Sequence, residues 1–254
     1  MIEARTISRR LAKHYWVWRL YHLIVADAIA VQRPTKYRLV REFLGPSLGI
    51  AADIGCGPGV FTSYMSVRAA LVVALDIDCA SLERAKSRHR KRRNAHFAAT
   101  TAISLPFSDN AFETILFLEV LEHIEDDRAA LHEIWRVLRP EGKLVVSVPV
   151  PPGEVNDELE WGHKREGYEL PVIVDLLANS GFEVQRHAFA EFRFSRVATK
   201  LIRLWKQATR LPPPIFLSWL AYLDCFYDSR QTANGNHSPA CVVISARKVL
   251  NGCG

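Results

Sequence analysis

Short apolar runs alternate with amphipathic stretches along most of the chain. Ile50–Ile54, Leu71–Leu75, Phe97–Ala99, Thr114–Leu118, Leu144–Val148, Phe182–Phe189 and Cys241–Ala246 read as seven strands. Between them, a stretch from Val60 and the segments Ser81–Arg93, Asp127–Leu138 and Pro171–Asn179 read as helices. Pro140-Glu141-Gly142 reads as a turn before the fifth strand, and Gly181 closes the helix before the sixth. Apolar strands alternating with helices predict an α/β fold, a mostly parallel sheet covered on both faces.

Two regions break this alternation. Residues 8–31 read as one helix with Leu11, Tyr15, Trp18 and His22 on a face, stopped at Gln32-Arg33-Pro34 and followed by a short helix over Thr35–Leu44. Arg193–His237 then separates the sixth strand from the seventh. It holds a basic amphipathic segment (Arg196, Lys200, Arg203, Lys206, Arg210), three prolines at 212–214 and the apolar run Ile215–Tyr227. A structureless loop of that length is uncommon in a compact domain, so it reads as a helical insertion. The expected organisation is a helical cap over 1–48, a core over 49–192, the insertion over 193–238 and a last strand and tail over 239–254. All of it is one structural domain, with cap and insertion roofing one crevice.

Charge changes the picture only when it is located. The net charge is +6, which invites a nucleic acid, an anionic membrane face or an acidic substrate. Residues 1–93 carry 17 Lys and Arg against 7 Asp and Glu, residues 94–190 carry 7 against 17, and residues 191–254 carry 9 against 3. Two basic ends therefore enclose an acidic middle. The 5 cysteines are widely spaced, without a CxxC pair, so neither a zinc site nor a disulfide framework is expected. No His, Asp or Glu set has metal-ligand spacing either. The N-terminus lacks the apolar region of a signal peptide, and no apolar run reaches the ~18 residues that span a bilayer. A cytoplasmic protein, with membrane association left open, is the expectation.

The candidate chemistry sits where the first strand turns into a helix. Asp53-Ile54-Gly55-Cys56-Gly57-Pro58-Gly59 lets the backbone turn tightly and approach a ligand. Its spacing is neither the G-x-G-x-x-G of dinucleotide enzymes nor a nucleotide P-loop. Asp76 ends the next strand, where an acid can take both hydroxyls of a ribose.

With the downstream segments LPFSDNAFETILFLEVLEHI and EIWRVLRPEGKLVVSVP, these residues resemble class I S-adenosylmethionine-dependent methyltransferases. The resemblance covers Ala51–Pro149 well and Gly162–Val184 loosely. It is nearest to the group acting on small molecules, lipids and glycan precursors. It implies a Rossmann-like seven-stranded sheet whose last strand is antiparallel, with S-adenosylmethionine as cofactor. It assigns the amino-acid end of the cofactor to Asp53 and the backbone of Gly55, Cys56, Gly57 and Gly59. The ribose goes to Asp76, the adenine face to Ile77, and the methionine side to Leu118 and Glu119. Where the family often has an Asp contacting the adenine amino group, this chain has Thr101 followed by Ala102, and the contact falls to one of these.

Transfer to an oxygen acceptor needs a proton removed, and two histidines are candidate bases. His123 follows the fourth strand, in a triplet that the family mostly uses structurally. His163 lies in Trp161–Tyr168, a loop expected to act as base and anion clamp, or else as a solvated loop capping the next helix. The aromatic residues of the cap and insertion, Trp18 and Trp219 among them, suit ordinary packing, a hydrophobic tunnel or a membrane surface. The expected activity is methylation of a small or lipid-linked molecule, with O-methylation slightly favoured. The alternatives are a nucleic-acid methyltransferase, a non-catalytic cofactor-binding module and a nicotinamide dehydrogenase. Nucleic acid is the less expected partner, because the middle of the chain is acidic and no RNA-binding module is recognisable.

Overall fold

Seven strands form a single sheet: β1 (Gly49–Ile54), β2 (Ala69–Asp76), β3 (Ala95–Ala99), β4 (Phe112–Leu118), β5 (Leu138–Pro149), β6 (Phe182–Ala190) and β7 (Cys241–Lys248). Their order is β3-β2-β1-β4-β5-β7-β6. The first five are parallel, and β7 runs antiparallel between β5 and β6, as expected for this fold. This computed structural model describes residues 34–151, 164–190 and 239–249, with seven helical positions between 197 and 209. The helix read over 8–31, His163 and the rest of the 193–238 insertion lie outside the described residues. The chain divides into two compact units, Met1–Tyr37 with Glu191–His237, and Arg38–Ala190 with Ser238–Gly254.

The helices are α1 (Pro34–Leu44), α2 (Val60–Met65), α3 (Cys79–Arg88), α4 (Asp127–Val137) and α5 (Leu170–Asn179). Side chains set their starts. Asp78 accepts from the amides of Ala80 and Ser81 at the head of α3, and Asp126 accepts from Ala129 at the head of α4. The central strands are buried on both faces, and Ile115, Leu116 and Phe117 of β4 are all fully inaccessible. Leu39, Val40, Phe43 and Leu44 of α1 pack over Ala51, Val72, Leu116, Val145 and Val243 of the sheet.

Two predicted boundaries move. The helix read over Ser81–Arg93 stops at Arg88. Its C-cap residue is His89, and Asn94 Nδ2 donates to the carbonyls of Ser66 (2.8 Å) and Ala69 (3.0 Å), which draws the chain back into β3. The predicted turn Pro140-Glu141-Gly142 lies inside β5, where the register against β4 slips and Glu141 adopts a φ of 62°. It is a bulge, because β5 continues past it to pair with β7. Among the described residues no helix is long and apolar enough to cross a membrane.

The ends of β5 and β6 meet at the start of β7. Ala190 at the end of β6 pairs with Cys241 at the start of β7, which also pairs with Pro149 at the end of β5.

One guanidinium holds the segment that precedes β4. Arg136 of α4 donates to the carbonyls of Leu105 (3.0 Å) and Phe107 (2.7 Å) and pairs with Glu133 and Asp109. Glu133 in turn accepts from the amide of Leu105 at 2.7 Å. The Leu105-Pro106-Phe107 stretch is thus pinned to α4, and Phe107 meets Phe112 edge-on at 5.0 Å. Arg136 beside Glu133 holds that carboxyl well down, at about 2 instead of the ordinary 4.5. A carboxylate with a depressed pKa adds stability above its unfolded value and loses it as pH falls. Arg136→Ala is therefore expected to unfold about 1–3 kcal/mol more easily at neutral pH. In urea titrations its deficit against wild type should shrink as pH drops from 4.5 toward 2.

Candidate functional site

The strand order reverses direction between β1 and β4, and the carboxyl ends of strands around such a point frame a crevice. Three ends meet there: Ile54 running into the glycine loop, Asp76 closing β2, and Leu118 closing β4. The loop glycines have φ of 73° (Gly55), 51° (Gly57) and 75° (Gly59), each for its own reason. A Cβ on Gly55 would lie 2.1 Å from Val120 Cγ2, so the loop sits directly on the residues after β4. A Cβ on Gly59 would lie 2.9 Å from His89 Cε1 and 3.0 Å from Ala85 Cβ, so α2 starts against α3. A Cβ on Gly57 would meet nothing within 4 Å. Of the three, Gly57 alone has open space beside its Cα.

The loop amides point inward. Gly55 N and Cys56 N donate to the carbonyl of Leu75 (2.7 and 2.9 Å), Gly57 N to Asp76 Oδ2 (2.7 Å) and Gly59 N to the carbonyl of Cys56 (3.0 Å). Residue 58 is proline and has no amide hydrogen. The loop is therefore no cradle for phosphate, which needs converging free amides. It offers carbonyl oxygens and carboxylates, which suit ammonium, sulfonium and hydroxyl groups.

The acids are built in at three depths. Asp53 is buried, its Oδ2 accepting from Thr62 Oγ1 at 2.5 Å. Burial pushes its carboxyl up to about 6, with the charge of Asp76 adding to the rise and the Thr62 bond opposing it. Asp76 accepts from Gly57 N through Oδ2 and from Asp78 N (2.8 Å) through Oδ1, and each oxygen keeps a second lone pair for a ligand hydroxyl. Glu119, with a φ of 53°, is left-handed without being glycine. Its Oε1 accepts from Ser147 Oγ at 2.8 Å and its amide donates to the Ser147 carbonyl at 2.9 Å, so β5 holds the strained residue. Strain of this kind persists where the surroundings impose it.

The other expected cofactor residues sit around these. Ile77 is 78% exposed directly after Asp76, an apolar face with no cover of its own. Thr101 bridges to Ser104 and Ala102 is buried, one turn beyond β3, whose Ala99 is paired with Asp76. Leu118 is partly buried beside Ser147. Cys56 is buried, its thiol pushed up by burial and donating to the Gly57 carbonyl at 3.5 Å. No local pattern marks Val120, Thr62, Ser147 and His89, because their roles arise only from packing around the loop.

His123 lies on the 3₁₀ turn Leu121–His123, and its amide donates to the Val120 carbonyl at 3.0 Å. The neighbouring Glu122 carbonyl accepts from Lys164 N at 2.8 Å. The clamp expected of Trp161–Tyr168 is corrected in part. Arg165 pairs with Asp127 and donates to Tyr168 Oη (2.6 Å) and the carbonyls of Ile124 and Glu125 (2.9 Å each). Tyr168 is buried and donates to Asp127 Oδ2 at 2.9 Å. These two side chains fasten the loop to the start of α4 rather than face an anion.

Comparisons with known proteins agree with this geometry. Residues 52–146 match the family model described as a methyltransferase domain. The chain is 32% identical over 160 residues to the O-methyltransferase cnsE of Penicillium expansum, covering 58% of each chain. It is 36% identical over 119 residues to a demethylmenaquinone methyltransferase of Corynebacterium kroppenstedtii, covering 45% of this chain and 50% of that one. It thus spans between half and three fifths of these curated relatives. The N-methyltransferase NodS from Bradyrhizobium japonicum WM9, solved in complex with S-adenosyl-L-homocysteine, has the same fold. Its TM-score is 0.56 at 16% identity, covering 85% of this chain and 88% of that one.

Two outcomes test the site. Gly57→Ala is expected to fold at a cost of about 1–2 kcal/mol for its left-handed φ and to bind S-adenosylmethionine at least ~10-fold more weakly. Gly55→Ala should destabilise much more, because Val120 stands in the way. Thermal unfolding and calorimetry on the pair separate the two. Asp53, whose folded pKa is raised, stabilises the fold in acid and loses that contribution as pH rises through about 6. Asp53→Asn should therefore match wild type near pH 4 and exceed it by up to ~3 kcal/mol near pH 8, read by urea denaturation without cofactor.

Proposed function

Because the chain carries a class I S-adenosylmethionine-dependent methyltransferase domain, we propose that it transfers a methyl group from this cofactor to a small or lipid-linked acceptor, preferentially at oxygen. The observation that carries the reading is the loop whose amides are all engaged while its open face at Gly57 adjoins the Asp76 carboxylate. This donor set fits a ligand with a ribose, an ammonium and a sulfonium, and it disfavours the pyrophosphate of a nicotinamide dinucleotide.

Asp76 would hold the ribose hydroxyls and Ile77 would lie on the adenine face, with Thr101 or the Ala102 backbone at its edge. The carbonyls of the Gly55–Gly59 loop would receive the ammonium, and Leu118 and Glu119 would flank the methionine chain. Bound there, the cofactor supplies an activated methyl group on a sulfonium. The chain's own contribution is then alignment and exclusion of water, since an in-line displacement gains most from a fixed geometry. An oxygen acceptor also needs a base, and His163 or His123 is proposed for it. The support is local: Lys164, next to His163, is hydrogen-bonded to Glu122, next to His123, just beyond the strained Glu119.

A lipid-linked acceptor, and an anionic membrane surface as partner, find support in the insertion. Its helical positions Val197, Leu201, Leu204 and Trp205 are exposed although apolar, and the exposed Lys200 lies among them. An apolar stripe interleaved with cations is the pattern of a helix that lies on a membrane.

Calorimetry on purified protein is expected to show saturable S-adenosylmethionine binding, weakened about 100-fold or more in Asp76→Ala by loss of two charge-assisted hydrogen bonds. With labelled cofactor, mass spectrometry of aqueous and lipid extracts should find the acceptor as a labelled product heavier by one methylene. No cofactor binding, or an Asp76→Ala variant that binds as wild type does, overturns the reading. Binding without transfer to either extract points to a non-catalytic module.

A further inference from the structure

α3 starts three residues beyond Asp76, at the crevice, and runs for 10 residues to Arg88. At about 1.5 Å per residue its far end lies about 15 Å away, where β2 and β3 begin. There Arg88, Arg90, Lys91 and Arg92, with Ser87, line an open cleft of about 780 Å³. The turn is held in place. His89 N donates to the Ala85 carbonyl (3.1 Å), Arg92 N to the His89 carbonyl (2.8 Å), and Asn94 ties the exit to Ser66 and Ala69.

The charge here exceeds what the helix needs. Lys86 and Arg88 already complement the negative end of the α3 dipole. One turn earlier, Arg84 and Lys86 have acidic partners in Asp78 and Glu83. Arg90, Lys91, Arg92 and Arg93 follow one another on the turn, all exposed, and among the described residues none has an ion-pair partner. Four adjacent uncompensated cations repel one another, and the repulsion is relieved by a bound anion. Guanidinium groups match phosphate oxygens two at a time, and the Ser87 hydroxyl adds a donor.

We propose that this cleft is a second ligand site, remote from the cofactor crevice, that binds a compact anion carrying two or more phosphate groups. The cations are confined to one concave turn, which suits a short polyphosphate or a phosphorylated headgroup. A nucleic-acid backbone is tracked by an extended basic stripe instead.

A reporter is built in behind the cleft. His89 is buried, with Nδ1 2.8 Å from the Ala85 carbonyl and Nε2 2.8 Å from Ser63 Oγ. Burial holds its pKa below the ordinary value, and the charges of Arg88 and Arg92 depress it further. An anion in the cleft offsets those charges, so its binding shifts the His89 titration upward.

Inorganic tripolyphosphate is the probe. Calorimetry should show saturable binding, at least ~10-fold weaker in the triple variant Arg90→Ser, Lys91→Ser, Arg92→Ser, with S-adenosylmethionine affinity unchanged. NMR should show the His89 pKa rising on binding in the wild type only. Phosphatidylcholine vesicles containing phosphatidylinositol bisphosphate form a second arm. Vesicle binding displaced by tripolyphosphate supports the site and identifies a lipid headgroup as the source of the phosphates. Absence of saturable binding, equal affinity in the triple variant, or RNA binding that tripolyphosphate fails to displace overturns the proposal. Unfolding temperature separates a lost site from a lost fold, because all three side chains are exposed.

Discussion

The crevice hangs on the carboxylate of Asp76. Through Oδ2 it accepts from Gly57 N, and through Oδ1 from Asp78 N. The first bond ties the end of β2 to the loop that follows β1, and the second sets the residue that caps α3. One side chain thus fixes the glycine loop, the adjacent strand end and the next helix in a common frame. Gly55 and Gly59 complete the frame from opposite sides, against Val120 and against α3, and leave Gly57 open. A ligand on Gly57 meets the same carboxylate that holds the loop, so binding and loop geometry are not separable at this position.

The frame is bought with electrostatic tension. Asp53, Asp76 and Glu119 gather around one crevice, and Asp53 is buried deeply enough for its carboxyl to stand near 6. Charge on Asp53 is unfavourable there, chiefly because of its own burial and then because of the neighbouring Asp76. A cationic ligand compensates it. The acids of the crevice therefore favour a sulfonium and an ammonium over a phosphate. The engaged amides of the loop point the same way, although the two observations are independent.

The frame was largely legible in the sequence, and its reasons were not. Strand positions came from apolar runs, which β4 and β5 bear out because both are buried on two faces. The helical periodicity overruns the end of α3, since it does not register an Asn94 side chain reaching back to Ser66 and Ala69. The bulge at Pro140–Gly142 looked like a turn, because the same residues serve both and only pairing with β7 tells them apart. At the site, Asp76 and the glycines stood out by spacing. Ser147 behind Glu119 and Val120 under Gly55 are contacts across the sheet, and no local pattern announces them. Arg165 and Tyr168 resembled an anion clamp only because their partner, Asp127, is far away in sequence.

The charge asymmetry along the chain finds its place in the direction of α3. The helix is capped by Asp78, close to the acidic crevice, and ends at the cations of Arg88–Arg93. The acidic middle contributes Glu119 and the cluster Glu122–Asp127 just past β4, where Asp126 caps α4 and Asp127 binds Arg165. The unpaired cations of Arg90–Arg93 and the acids of the crevice therefore lie at opposite ends of α3. A polyanion drawn to the basic turn is not thereby led to the methyl donor. It would have to cross about 15 Å of helix toward a crevice that repels phosphate. The net positive charge, taken as a sum, suggests a nucleic-acid substrate. Taken as a distribution, it separates the surface that attracts anions from the crevice where the chemistry is proposed, and this favours an acceptor with little negative charge.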